Sequence, residues 1–169
     1  MAGAPLLITA ELPPDILAWA DGLRRRHYPP ERNRLRAHVT LFHALPPSAE
    51  AEVRRLLADC AAANPPPEAR IEGIWDMGTG TALDIRCAAL AAFHRELSER
   101  LHGLLTKQDD RKLRPHITVQ NKVGRGAAKA LQAELADTLH PRSFRFRGFG
   151  LYAWEDALWN PIAEFPFRG

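Results

Sequence analysis

The chain has 169 residues, of which 46% are hydrophobic and 25% charged, and a formal net charge of +3. That is an ordinary globular composition, long enough for one domain with a real core, and the charge is too small to identify a partner. Two cysteines, Cys60 and Cys87, make no disulfide framework, and no apolar run approaches the ~20 residues that span a bilayer. The opening MAGAPLLITAEL lacks the basic region of a signal peptide. A cytoplasmic protein with reduced thiols is the expectation.

Leu6 to Leu12 is apolar enough for a buried strand, and Pro13-Pro14-Asp15 supplies a helix start. Ile16, Leu17, Ala20 and Leu23 continue at helical spacing and stop before Pro29. Leu35 to Leu45 alternates and is rich in strand formers. Ser48 is placed to cap a second helix, with Glu50 and Glu52 in its first turn and Val53, Leu56, Leu57, Cys60 and Ala61 as its stripe. Asn64 and three prolines end it. Ala69 to Met77 and Thr81 to Cys87 read as a hairpin around a Gly-Thr-Gly turn. A helix through Leu90, Phe93, Leu97, Leu101 and Leu104 follows, then a charged loop over Lys107 to Lys112. His116 to Val123 reads as a strand, and Gly124 to Gly126 leads into a helix carrying Leu131, Leu135 and Leu139. Phe144 to Trp154 and Leu158 to Phe167 read as a closing antiparallel pair. This mixed order, with adjacent strands forced to pair antiparallel, predicts an α+β fold rather than a doubly wound sheet.

One segment is written twice. Arg34-Leu-Arg-Ala-His-Val-Thr-Leu41 and Lys112-Leu-Arg-Pro-His-Ile-Thr-Val119 agree in chemical type at all eight positions. Side chains at i and i+2 of a strand share a face, so His38 stands beside Thr40 and His116 beside Thr118. Val39, Leu41, Ile117 and Val119 turn the other way, into the core. With the His and Thr content of this chain, about 0.06 His-x-Thr-x segments with apolar x are expected by chance. Two histidines and two hydroxyls suit metal-free phosphodiester chemistry. A neutral imidazole takes a proton from the attacking oxygen, a protonated one gives a proton to the leaving oxygen, and hydroxyls donate to the charge between them. The basic residues crowded ahead of both copies, Arg24 to Arg36 and Lys107 to Arg114, suit an anionic ligand.

These tetrapeptides, His38-Val39-Thr40-Leu41 and His116-Ile117-Thr118-Val119, resemble the twin His-x-Thr-x signatures of the 2H phosphoesterase superfamily. More specifically, the chain resembles its 2′-5′ RNA ligase / RNA 2′,3′-cyclic phosphodiesterase group. Arg114-Pro115 ahead of the second motif is also typical, and the order of elements agrees over most of the chain. The resemblance implies a bilobal α+β fold over residues 1–169 with a groove between pseudo-twofold-related lobes. It implies hydrolysis of a 2′,3′-cyclic phosphate on RNA ends or nucleotides to a 2′-phosphomonoester, sometimes with reversible 2′-5′ ligation. His116 would be the general base and His38 the general acid, with roles exchanged in reverse. Relatives often carry a basic residue soon after each motif; here Phe42-His43 and Gln120-Asn121-Lys122 follow instead.

Arg36 and Arg114 share the parity of their histidines and are candidate phosphate contacts, as is Lys122. Phe42 and Gln120 also point to the motif face by strand parity, so Phe42 is a candidate base platform, as is Tyr152. His43 has the opposite parity to His38, which argues against a metal pair there. The remaining histidines, His27, His94, His102 and His140, read as surface or helix residues. No metal or other cofactor is expected, and no Walker loop, HExxH or Gly-x-Ser-x-Gly is present. A monomer is the expected state. Two other readings use the same residues: a non-catalytic module binding a nucleotide or RNA phosphate in the groove, and a structural duplication without a ligand.

Overall fold

The computed structural model describes residues 3–169. Strand β1 (Leu6–Glu11) is buried on both faces from Leu6 to Ala10, as its unbroken apolar run requires of a central strand. It pairs antiparallel with β2 (Val39–Leu45) on one side and β7 (Gly148–Glu155) on the other, and β8 (Leu158–Pro166) completes a sheet of order β2-β1-β7-β8. The second sheet has order β5-β4-β3-β6, built from β3 (Glu68–Asp76), β4 (Thr81–Arg86), β5 (His116–Gln120) and β6 (Arg142–Arg145), again all antiparallel. Helices α1 (Pro14–His27), α2 (Glu50–Ala63), α3 (Ala88–Arg100) and α4 (Arg125–Thr138) bury the apolar stripes seen in the sequence. The architecture is therefore α+β, and one continuous apolar cluster contains residues of both sheets, among them Val39, Leu41, Ile117 and Val119. Among the described residues, no helix is long and apolar enough to cross a membrane.

Three local expectations change. The stretch read as one strand over Phe144 to Trp154 is two strands in different sheets. Phe144 pairs with Ala69 while Ala153 pairs with Leu6, and the chain crosses over at Phe146 and Arg147. Ser48 caps nothing: Pro47–Ala49 winds into a 3₁₀ turn that runs into α2, so Ser48 lies inside helical winding rather than at its edge. The third helix ends at Arg100, and Gly103 takes φ +88°, a turn conformation that no continuing helix allows.

Both motif strands carry a β-bulge. In β2, Thr40 pairs with Thr9 and Phe42 with Ile8, so Leu41 is an extra residue. In β5, Thr118 pairs with Ala82 and Gln120 with Thr81, so Val119 is extra. One inserted residue flips the parity of everything after it. Leu41 and Phe42 are accordingly both buried, as are Val119 and Gln120, in successive pairs that a regular strand would split between faces. Strand parity thus misplaces Phe42 and Gln120. Phe42 is 0% exposed and stacked on His94 at 4.7 Å, which removes it as a base platform. Gln120 accepts the Thr81 hydroxyl through its side-chain oxygen at 2.9 Å.

Candidate active site

His38 immediately precedes β2 and His116 opens β5, so the two imidazoles come from different sheets. The loop delivering His38 is tied to α1: the Ala37 N–H donates to Asp21 at 3.0 Å, and Asn33 accepts two bonds from the Arg24 guanidinium. Each histidine is held in the same way. His38 Nδ1 lies 2.7 Å from the Arg36 carbonyl, and His116 Nδ1 lies 2.7 Å from the Arg114 carbonyl. A carbonyl oxygen only accepts, so each Nδ1 carries the hydrogen. Nε2 is left in both rings as the atom that takes up or releases a proton.

An aromatic ring backs each imidazole. Trp159 packs on His38 at 4.5 Å between centroids, and Trp75 meets His116 edge-on at 4.8 Å. This packing withdraws water from both rings. Burial pushes His38 down to about 4; the Arg36 carbonyl opposes the fall, and the nearby charges of Arg24, His116 and His43 add to it. Burial also lowers His116, with the Arg114 carbonyl opposing and His43 and Arg114 reinforcing. Both are neutral in the empty site near neutral pH, and a bound phosphate anion raises both. Trp159→Ala is expected to raise the His38 pKa from about 4 toward the ordinary value of about 6.5 by readmitting water, as read by NMR titration of its ring carbons.

Each imidazole shares a cavity with the threonine of the opposite strand. His38 and Thr118 line an open cavity of 870 Å³ together with Arg24, Arg34, Lys122 and the half-exposed Trp154. His116 and Thr40 line one of 280 Å³ with Trp75, His43 and Arg114. Arg24 fixes the relation between the halves: it is buried, and its guanidinium reaches from α1 to the Thr118 carbonyl at 2.7 Å. Of the other candidates, Lys122 is exposed on the larger cavity at φ +59°. Arg114 lies over the Trp75 ring at 4.1 Å and bonds Asp84 weakly at 3.4 Å. Arg36 and Tyr152 line a third cavity, of 300 Å³, beside His38, where the Tyr152 hydroxyl donates to Glu11. Among the described residues, no group of three or more His, Cys, Asp or Glu side chains is arranged to hold a metal ion.

This arrangement of fold and site has relatives. The family model described as the 2′-5′ RNA ligase superfamily matches residues 12–158. The chain belongs to that superfamily. Its fold is similar to that of TT0787 of Thermus thermophilus, with a TM-score of 0.70 at 17% identity, covering 98% of each chain. It is also similar to E. coli LigT complexed with 3′-AMP (TM-score 0.64, 20% identity, 99% of each chain) and to a protein described as a phosphoesterase (0.59, 20%, 99% of each). No curated protein matches the chain.

Sequence reasoning missed several residues of this superfamily member's site. Trp75 and Trp159 lie far along the chain from the histidines they cover, and Arg24 was visible only as part of a basic run. The pairing of His43 with Asp109 was hidden by the bulge, since simple parity turns His43 away from the site.

Proposed function

We propose that this member of the superfamily hydrolyses 2′,3′-cyclic phosphates of RNA ends or nucleotides to 2′-phosphomonoesters, without a metal cofactor. The observation that carries this reading is the matched pair of imidazoles from two sheets, each with Nδ1–H locked on a backbone carbonyl and Nε2 free. In hydrolysis, one neutral Nε2 takes a proton from water as the water oxygen bonds to phosphorus. The P–O3′ bond breaks, and the 3′-oxygen leaves with a proton from the other, protonated, imidazole. Thr40 and Thr118 donate to the non-bridging oxygens, where charge gathers. Run backwards with an RNA 5′-hydroxyl in place of water, the same steps make a 2′-5′ bond.

Support for the ligand class comes from E. coli LigT, whose solved complexes contain 3′-AMP, NADP+, ATP and phosphate. The larger cavity, lined by Arg24, Arg32, Arg34, Lys122 and Trp154, suits a nucleotide chain running away from His38. Of the two imidazoles, His38 is the one pushed down to about 4, which favours it as the unprotonated partner in the empty site. The order of roles drawn from the resemblance is the reverse, and bound phosphate raises both groups. The test is to incubate the protein with 2′,3′-cyclic mono- and oligonucleotides in EDTA and determine the phosphate position of the product. A 2′-phosphate is expected. Saturable binding with no product would leave the chain a phosphate-binding module.

A further inference from the structure

The bulge in β2 brings a third histidine to the site. Because Leu41 is an extra residue, His43 falls on the side of Thr40 and lines the 280 Å³ cavity together with Thr40 and His116. The His43 ring is fixed by Asp109, a residue of the loop between α3 and β5. Nδ1 lies 2.9 Å from Oδ1 of this buried carboxylate, which is 3% exposed and also accepts the backbone N–H groups of His43 at 2.8 and 2.9 Å and of Ala44 at 3.0 Å. Burial pushes the Asp109 carboxyl up, but the bonds from His43 and Ala44 outweigh it and leave it below its ordinary value, so it stays charged.

Anchoring the loop explains the backbone bonds to Asp109 but not the imidazole. With Nδ1–H committed to the carboxylate, Nε2 is the ring's one remaining polar atom, and the side chain is 41% exposed. The same loop brings Arg111 and Lys112 to this cavity, and Arg114 lies beside them. Among the described residues, the only carboxylate in the lining is Asp109, already engaged by three N–H groups. The unused capacity of the cavity is therefore cationic and hydrogen-bond donating. An imidazole placed between a buried carboxylate and a phosphate is held doubly protonated, with Nε2–H donating to the phosphate.

We propose that His43, oriented by Asp109 and joined by Arg111 and Lys112, forms a second phosphate subsite beside His116, and that the preferred substrate carries a phosphate in addition to its cyclic one. A nucleoside 2′,3′-cyclic phosphate bearing a 5′-phosphate is the simplest such molecule. This inference rests on the cyclic-phosphate reading for its substrate, but not for its test. Binding of a nucleoside 2′,5′-bisphosphate and of the matching 2′-monophosphate, the product forms, is measured by calorimetry and needs no turnover.

The wild-type protein is expected to bind the bisphosphate at least about 10-fold more tightly, the scale of a charge-assisted contact. His43→Phe keeps ring bulk and removes Nε2, and Arg111→Ala alters only an exposed side chain; each is expected to lower that preference several-fold. Asp109→Asn acts through His43, and the ring ¹⁵N shifts of His43 should report loss of the fixed Nδ1–H form alongside the lowered preference. Equal affinities in the wild type, or a preference untouched by both His43→Phe and Arg111→Ala, would overturn the subsite. An intact preference with no turnover of either cyclic phosphate supports the subsite and counts instead against the hydrolytic reading.

Discussion

Replacing either motif histidine with alanine is expected to lower kcat for a 2′,3′-cyclic nucleotide by about 10²–10⁴-fold, the usual contribution of a positioned acid or base. The loss should fall on kcat more than on KM, because Thr40, Thr118 and the basic side chains still hold the phosphate. Stability should change little. Each imidazole gives up one bond to a carbonyl, worth about 1 kcal/mol net, and both rings are only half-buried at the edge of a cavity. Folding of the variants, checked by circular dichroism, therefore separates chemistry from structure. Removing both histidines should cost little more than removing one, since base and acid act on the same displacement and their effects are not additive. Turnover within tenfold of wild type in both single variants, measured in EDTA, would end the proposal that these imidazoles are the acid and base.

The features legible in the sequence were those with a short period or a local signal. The motif strands, the Gly-Thr-Gly hairpin and the helix stripes follow from alternation or 3.6-residue spacing, and the structure places them within a few residues of expectation. The division of residues 142–155 between two sheets was not legible, because which partner a strand takes is decided by residues far away in sequence. Phe144 pairs with Ala69 and Gly148 with Glu11. The bulges were hidden for the same reason. An extra residue exists only relative to a partner strand, so nothing within the tetrapeptide His38 to Leu41 announces that Leu41 is unpaired. Their consequence is chemical. They withdraw Phe42 and Gln120 from the motif face and give their places to His43 and Asn121, which line the smaller and larger cavities respectively. The pseudo-symmetry of the sequence repeat thus extends two residues beyond the motif, to a histidine in one half and an asparagine in the other.

Phe42→Ala is expected to destabilise the protein by about 3–5 kcal/mol, the range for removing a fully buried aromatic side chain. Phe42 is among the largest side chains with no exposed surface, and its ring lies nearly parallel to that of His94, at 12°. Its surroundings are packed core, which relaxes only partly around a missing ring, so the cavity term adds to the lost transfer free energy. A lowered urea midpoint at unchanged m-value is the signature to look for. On a regular strand the outcome would be different: Phe42 would face the motif histidines, and alanine there would raise KM for a nucleotide while leaving the midpoint in place. The single substitution therefore decides between the bulged and the regular register of β2. It also bears on His43, because the register that buries Phe42 is the one that turns His43 to the cavity. A protein of wild-type stability and impaired binding after Phe42→Ala would return His43 to the far face and remove the ground for the second phosphate subsite.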